Sequence, residues 1–170
     1  MSSYSRRNII VKTAVVYYSM SGNCEFVAKK IAEKTGADLI RLEPEKVYPS
    51  SGFRKFLWGG KSAVMGETPA LKPYTFDADS YDRIIFGFPV WASNPTPPIR
   101  TFIRDNGAAL RGKKLAAFTC FSGGGADKAL AKLKKLLNVD SLEAELILVD
   151  PKTAPAPENE AKIKAFCEKF

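Results

Sequence analysis

The chain contains no histidine. That absence excludes Ser-His-Asp and Cys-His catalysis and leaves a zinc site only cysteines and carboxylates to draw on. Cysteine is scarce as well. Cys24, Cys120 and Cys167 form no C-x-x-C pair, which fits a reduced, cytoplasmic chain better than a disulfide framework. No uninterrupted apolar run approaches the ~18 residues of a membrane span. Acidic side chains are the minority, 18 against 26 Lys and Arg, for a net charge of +8. Two phosphate-loop signatures are missing. No G-x-G-x-x-G is present after the first strand-like run, and Gly60-Lys61-Ser62 has no strand before it. A phosphoacceptor receiver is excluded too, because Ser19-Met20 and Phe88-Pro89 stand where it needs carboxylates.

What is present suits one globular domain: 170 residues, 45% hydrophobic and 26% charged. Residues 1–12 carry Arg6-Arg7 and superficially resemble a twin-arginine export signal. Lys12 cuts the apolar region short, and cleavage there would destroy the strand that follows. The expectation is a basic, partly disordered lead-in (1–12) to a single domain (13–170) of a cytoplasmic protein.

The most informative stretch is Thr13–Gly36. Ala14-Val15-Val16-Tyr17-Tyr18 has the composition of a strand buried on both faces. Small polar residues follow, and then Cys24, Val27, Ala28, Ile31 and Ala32 recur at helical spacing up to a Gly36 stop. Strand, hydroxyl-rich loop and helix together aim backbone N–H groups and the positive end of a helix dipole at one point, which makes an anion site. The loop itself holds no Lys or Arg, so it would bind phosphate through N–H and hydroxyl donors. The plain alternative is a capped turn, with Ser21 or Asn23 as the N-cap.

Further on, the pattern predicts strands at 38–42, 83–88, 114–119 and 142–149. Helices are predicted at 98–106, 126–137 and 158–169. Residues 45–76 read as an irregular excursion with one helix near 53–58 and a second near 61–65. Strands and helices alternate, so right-handed crossovers place helices on both faces of a five-stranded parallel sheet. Ligands of such sheets bind beyond the carboxyl ends of strands, where strand order reverses. The three unusual loops sit there. Ser19–Cys24 offers anion donors. Pro89–Ser93 carries Trp91, a rigid plane suited to stacking on a flat heterocycle. Phe121-Ser122-Gly123-Gly124 lets the backbone approach a ring edge.

The segments S-M-S-G-N-C, Y-D-R-I-I-F-G-F-P-V-W-A, P-P-I-R-T-F-I and F-S-G-G-G, with the excursion G-F-R-K-F-L-W-G-G-K, resemble the bacterial flavodoxin family, particularly its short-chain members. The resemblance spans most of residues 13–150. It implies a flavodoxin-like three-layer sandwich of strand order 2-1-3-4-5, non-covalent flavin mononucleotide (FMN) and electron transfer. Carried over by residue, Ser19, Met20, Ser21, Gly22, Asn23 and Cys24 would hold the phosphate. Pro89, Val90, Trp91, Ala92 and Ser93 would line the isoalloxazine, with Phe121, Ser122, Gly123 and Gly124 near its edge. No catalytic residue and no metal is implied.

Cys24 departs from the threonine usual in the family and offers only a weak S–H donor. Loop three lacks the tyrosine many flavodoxins stack on the ring, which leaves Phe121 or Trp58 as the second aromatic. The basic charge is also unusual for the family. Its largest cluster, Lys128, Lys132, Lys134 and Lys135, reads as the solvated face of a surface helix. No aromatic residue interleaves with it, which disfavours nucleic acid. The expected partner is a redox protein, acidic if the charge is used. Two alternatives stand beside the electron carrier: an oxidoreductase that reduces quinones or flavins with NAD(P)H, and a flavin-free binding module using the basic surface.

Overall fold

Runs of β-branched and aromatic residues form the centre of a five-stranded parallel sheet. Its strands are β1 (Thr13–Tyr17), β2 (Asp38–Arg41), β3 (Arg83–Pro89), β4 (Lys114–Phe121) and β5 (Glu145–Val149), in the order β2-β1-β3-β4-β5. The computed structural model describes residues 10–49 and 52–170. Most of the lead-in (residues 1–9) and Ser50-Ser51 fall outside the described residues. The helices are α1 (Asn23–Thr35), α2 (Gly52–Val64), α3 (Pro97–Asn106), α4 (Ala126–Leu137) and α5 (Glu158–Cys167). Order and direction agree with the sequence reading.

Alternation along the strands divides the core in two. Ala14, Val16, Ile84, Phe86, Phe88 and Ala117 face α3 and α4; Val15, Tyr17, Ile85, Ala116, Phe118 and Leu148 face α1 and α5. The three central strands are buried on both faces, which is why they read as unbroken apolar runs. Gly87 is required by this packing. A Cβ there would stand 2.1 Å from Cζ of Phe118, the ring that crosses β3 from its paired position on β4. Gly36 ends α1 as expected, left-handed at φ 70°, its N–H donating to the Ala32 carbonyl at 2.8 Å.

Most element ends fall within two residues of expectation, and two differences are larger. β5 begins at Glu145 rather than 142; the residues before it run in bends, with the Glu143 side chain reaching Arg83. In the excursion, α2 is one helix running through Gly59-Gly60 where two were expected. Helix propensity disfavours that pair, but packing overrides it, as shown below. The ends of the excursion are clasped: Glu45 N–H donates to the Ala70 carbonyl at 2.9 Å, and Lys72 N–H to that of Glu43 at 2.8 Å.

At the amino end of β3, Arg83 is 4% exposed. Its guanidinium grips Glu143 with two bonds, Nε to Oε2 at 2.6 Å and Nη2 to Oε1 at 2.9 Å, and lies 4.6 Å from the centre of the Phe170 ring. Hydrogen bonding from Arg83 holds the Glu143 carboxyl below its ordinary range. A depressed carboxylate stabilises the fold at neutral pH, and that stability is lost as pH falls through its folded value. Glu143→Gln should therefore cost about 3 kcal/mol at neutral pH by stranding Arg83. The cost should shrink below pH about 4, as read from denaturant midpoints across pH.

Candidate functional site

At the carboxyl edge of the sheet the three loops surround a cleft of about 360 Å³. Met20, Ser21 and Asn23 line it from the first loop, Pro89, Val90, Trp91 and Ala92 from the second, Phe121, Ser122 and Gly123 from the third. The expected residues Ser19, Gly22, Cys24, Ser93 and Gly124 are not among its walls. A larger cleft of about 590 Å³ lies at the opposite edge, near Arg104, Arg111 and Lys113. None of the three loops reaches it.

The first loop is built without a side-chain cap. Gly22 takes the N-cap position with φ 89°, a conformation that favours glycine. Asn23 is not the cap; its side chain crosses to the loop after β5. Its Oδ1 accepts from the N–H groups of Lys152 at 2.9 Å and Thr153 at 3.3 Å, and its Nδ2 donates to Asp150 Oδ1 and Ser21 Oγ, each at 3.3 Å. The Cys24 side chain is 1% exposed and belongs to the core between the sheet, α1 and α5. Burial and the neighbouring Cys120 push its thiol well up. Cys24 can therefore serve an anion only through its backbone N–H. Ser19 is 6% exposed and its Oγ has no partner among the described residues, an exception among buried hydroxyls.

The second loop is a tight turn closed by reciprocal bonds, Trp91 N–H to the Asn94 carbonyl at 3.2 Å and Asn94 N–H to that of Trp91 at 2.9 Å. Ala92 (φ 47°) and Ser93 (φ 58°) are both left-handed. This is the type I′ pattern, strained for residues with a side chain. Gly125 makes room for it, since a Cβ there would stand 2.2 Å from Ser93 Oγ. Lys132, read from the sequence as a solvated lysine, donates to Asn94 Oδ1 at 2.8 Å and braces the turn. Ser93 thus supports the cleft from behind.

Trp91 is boxed. Tyr18 and Tyr48 meet it edge-on, with centroids 5.6 Å and 5.2 Å away, and burial pushes both phenols up, keeping them neutral. Gly59 of α2 completes the box: a Cβ there would lie 3.2–3.3 Å from Cε3, Cδ2 and Cζ3 of the indole. The glycine pair is therefore where α2 passes over the Trp91 turn, and Gly60 joins the cleft wall. Trp58, named as a possible second aromatic, is 56% exposed and outside the cleft.

Three contributors were not legible in the sequence reading. Gly60 looked like a helix breaker. Asp150 ends β5 with φ 37°, lines the cleft and accepts from Ser122 Oγ at 2.7 Å; the carboxyl-edge rule applied to the fifth strand would have found it. Lys152 brings a cation beside a loop that holds none of its own. Its Nζ lies 2.9 Å from the point where a Cβ of Gly22 would stand, and no local signal points to a pairing 130 residues apart. Together the loops offer a donor-rich end and an aromatic slot. No group of metal-ligating side chains occurs among the described residues, and no helix there is long and apolar enough to cross a membrane.

The packing of α2 is testable without a ligand. Gly→Ala inside a helix ordinarily stabilises by about 1 kcal/mol. Gly59→Ala should lose that gain to the boxed indole and lower the urea midpoint, with a shift in tryptophan emission.

Solved structures share this architecture. A flavoprotein of Lactobacillus acidophilus, determined in complex with FMN, superposes with a TM-score of 0.68 at 22% identity, covering 89% of this chain and 98% of that one. The two-electron reduced flavodoxin of Megasphaera elsdenii gives 0.58 at 18% over 92% and 96%. Oxidised flavodoxin 1 of Bacillus cereus gives 0.55 at 20% over 94% and 97%. At these identities the likeness is one of fold. The family itself is shown by the flavodoxin family model, which matches residues 12–154: the chain belongs to the flavodoxin family.

Proposed function

We propose that residues 13–170 act as one flavodoxin-like unit that binds FMN in the carboxyl-edge cleft and transfers electrons to or from a partner protein. The observation that carries this reading is the cleft itself, in which the serine-rich β1–α1 loop at the amino end of α1 meets an aromatic slot at Trp91. A cleft of about 360 Å³ is within the usual span for small-molecule sites, roughly 300–1,000 Å³. The FMN complex of the L. acidophilus protein supports it from outside.

In this reading the β1–α1 loop takes the phosphate, with hydroxyls from Ser19 and Ser21 and backbone N–H groups from Met20 to Cys24. Pro89 to Ser93 and Phe121 to Gly124 hold the ring. Trp91 is fixed by its box and by the strained turn, so it presents a surface that needs no reordering on binding. The bound flavin supplies the redox chemistry, in steps of one or two electrons, and the protein positions and tunes it. The free cysteines suit a reducing compartment such as the cytoplasm.

The partner is an acidic protein that docks over α2. The outer face of this helix exposes Arg54, Leu57, Trp58, Lys61 and Val64, with Met65 just beyond, at spacings i, i+3, i+4, i+7, i+10 and i+11. Its inner side touches the cleft at Gly59 and Gly60. Trp, Met and Arg are enriched at protein interfaces. Cations set among the apolar residues suit an acidic protein better than a lipid surface, which wants the two segregated.

Titration with the flavins tests the cofactor. FMN should bind far more tightly than riboflavin. Ser19→Ala should weaken FMN by about 1.5–3 kcal/mol, one hydrogen bond to a charged group, with riboflavin affinity and apoprotein stability unharmed. Equal affinity for FMN and riboflavin would refute the phosphate assignment. For the partner, stopped-flow reduction by an acidic protein donor should slow steeply with salt, as the Debye length falls to about 10 Å at 0.1 M. Reversing Arg54 and Lys61 to Glu should abolish that dependence and leave reduction by a small neutral donor unchanged.

A further inference from the structure

The β1–α1 loop has no cation of its own, yet the tertiary structure brings one to it. Asp150 turns the chain left-handed after β5 (φ 37°), and the buried Pro151 follows. The next two N–H groups, of Lys152 and Thr153, are bound by Asn23 Oδ1 at 2.9 and 3.3 Å. Asn23 opens α1 immediately after Gly22, so one carboxamide anchors the root of Lys152 to the anion loop. The side chain then runs along the loop: Cδ, Cε and Nζ lie 3.5, 3.8 and 2.9 Å from the point where a Cβ of Gly22 would stand. Any side chain at position 22 would displace the ammonium.

The surrounding charges leave this ammonium available. Lys152 makes no ion pair among the described residues. The carboxylate nearest in sequence, Asp150, accepts instead from Ser122 Oγ at 2.7 Å and Asn23 Nδ2 at 3.3 Å. Ser21, which follows in the same loop, lines the cleft with Asn23, so a hydroxyl and the ammonium flank Gly22 from either side of the chain's first turn into α1.

We infer that Lys152 is a specificity-determining residue of this site, supplying the countercharge for a terminal phosphomonoester at Gly22. The inference rests on the FMN reading and adds to it a discriminator between the phosphorylated flavin and its neutral parent. Serine hydroxyls and N–H groups also serve neutral oxygens well, whereas an ammonium rewards a dianion. Because Lys152 arrives from the far end of the sheet, phosphate binding also joins the β5–α5 loop to the β1–α1 loop.

The experiment compares the wild type with Lys152→Met, which keeps the aliphatic stem over Gly22, and Lys152→Arg, which keeps the charge. Each is titrated with FMN, riboflavin and competing inorganic phosphate, at low and high salt. Lys152→Met should weaken FMN about ten- to a hundredfold at low salt, the span of one bond to a charged group. It should leave riboflavin unchanged and reduce competition by inorganic phosphate. Lys152→Arg should stay near wild type, and the gap should narrow at high salt. If Lys152→Met binds FMN as the wild type does while FMN still outbinds riboflavin, the inference falls and the FMN reading stands. Equal loss of both flavins would make Lys152 merely structural and also overturn the inference. A wild type that does not prefer FMN overturns both.

Discussion

The pairing of β1 with β3 is the constraint on which the functional edge depends. β1 lies between β2 and β3, so the chain leaves its carboxyl end toward β2 and later returns on the other side. Tyr17 pairs with Gly87, and the Tyr18 N–H donates to the Gly87 carbonyl at 3.0 Å, so the ladder runs to the mouth of the cleft. Gly87 holds this position because the Phe118 ring occupies the space of its missing side chain. A larger residue would separate β3 from β4, and with them the Trp91 turn from the Phe121 loop. Packing in the middle of the sheet thus sets the width of a site at its edge.

The site is held less by the loops' own hydrogen bonds than by contacts between loops. Asn23 ties the first loop to the segment after β5, Lys132 braces the Trp91 turn from α4, and Gly125 admits Ser93. The two left-handed residues of the turn are strained locally, and such strain persists where surrounding structure over-determines it. Opposite the cleft, the Arg83–Glu143 pair and the Phe170 ring close the other end of the sheet. Stability is therefore concentrated at one end and binding chemistry at the other.

Charge has a similar division of labour. The α4 lysines looked alike in the sequence, yet Lys132 supports the site, Lys134 pairs with Glu145 at 2.8 Å, and Lys128 and Lys135 are exposed. The cations on which the proposed anion and partner contacts rest lie elsewhere, at Lys152 beside the β1–α1 loop and on the outer face of α2.

The sequence by itself determined the strands and helices, their order and the three loops at the carboxyl edge. Those features are local: apolar runs, 3.6-residue periodicity, glycine stops and the handedness of crossovers are all written in neighbouring residues. It also marked Trp91 and the serine-rich turn as unusual. Only the tertiary structure decided which side chains face the cleft, because that depends on contacts between residues far apart in the chain. Cys24 turned inward to the core beside Cys120, Asn23 became a bridge instead of a cap, and Gly59-Gly60 became a seat for an indole instead of a helix break. Asp150 and Lys152 entered from a strand end whose distance from the first loop in sequence is more than 120 residues. No periodicity or propensity encodes such a meeting; it follows from strand order and from the space that neighbouring side chains leave.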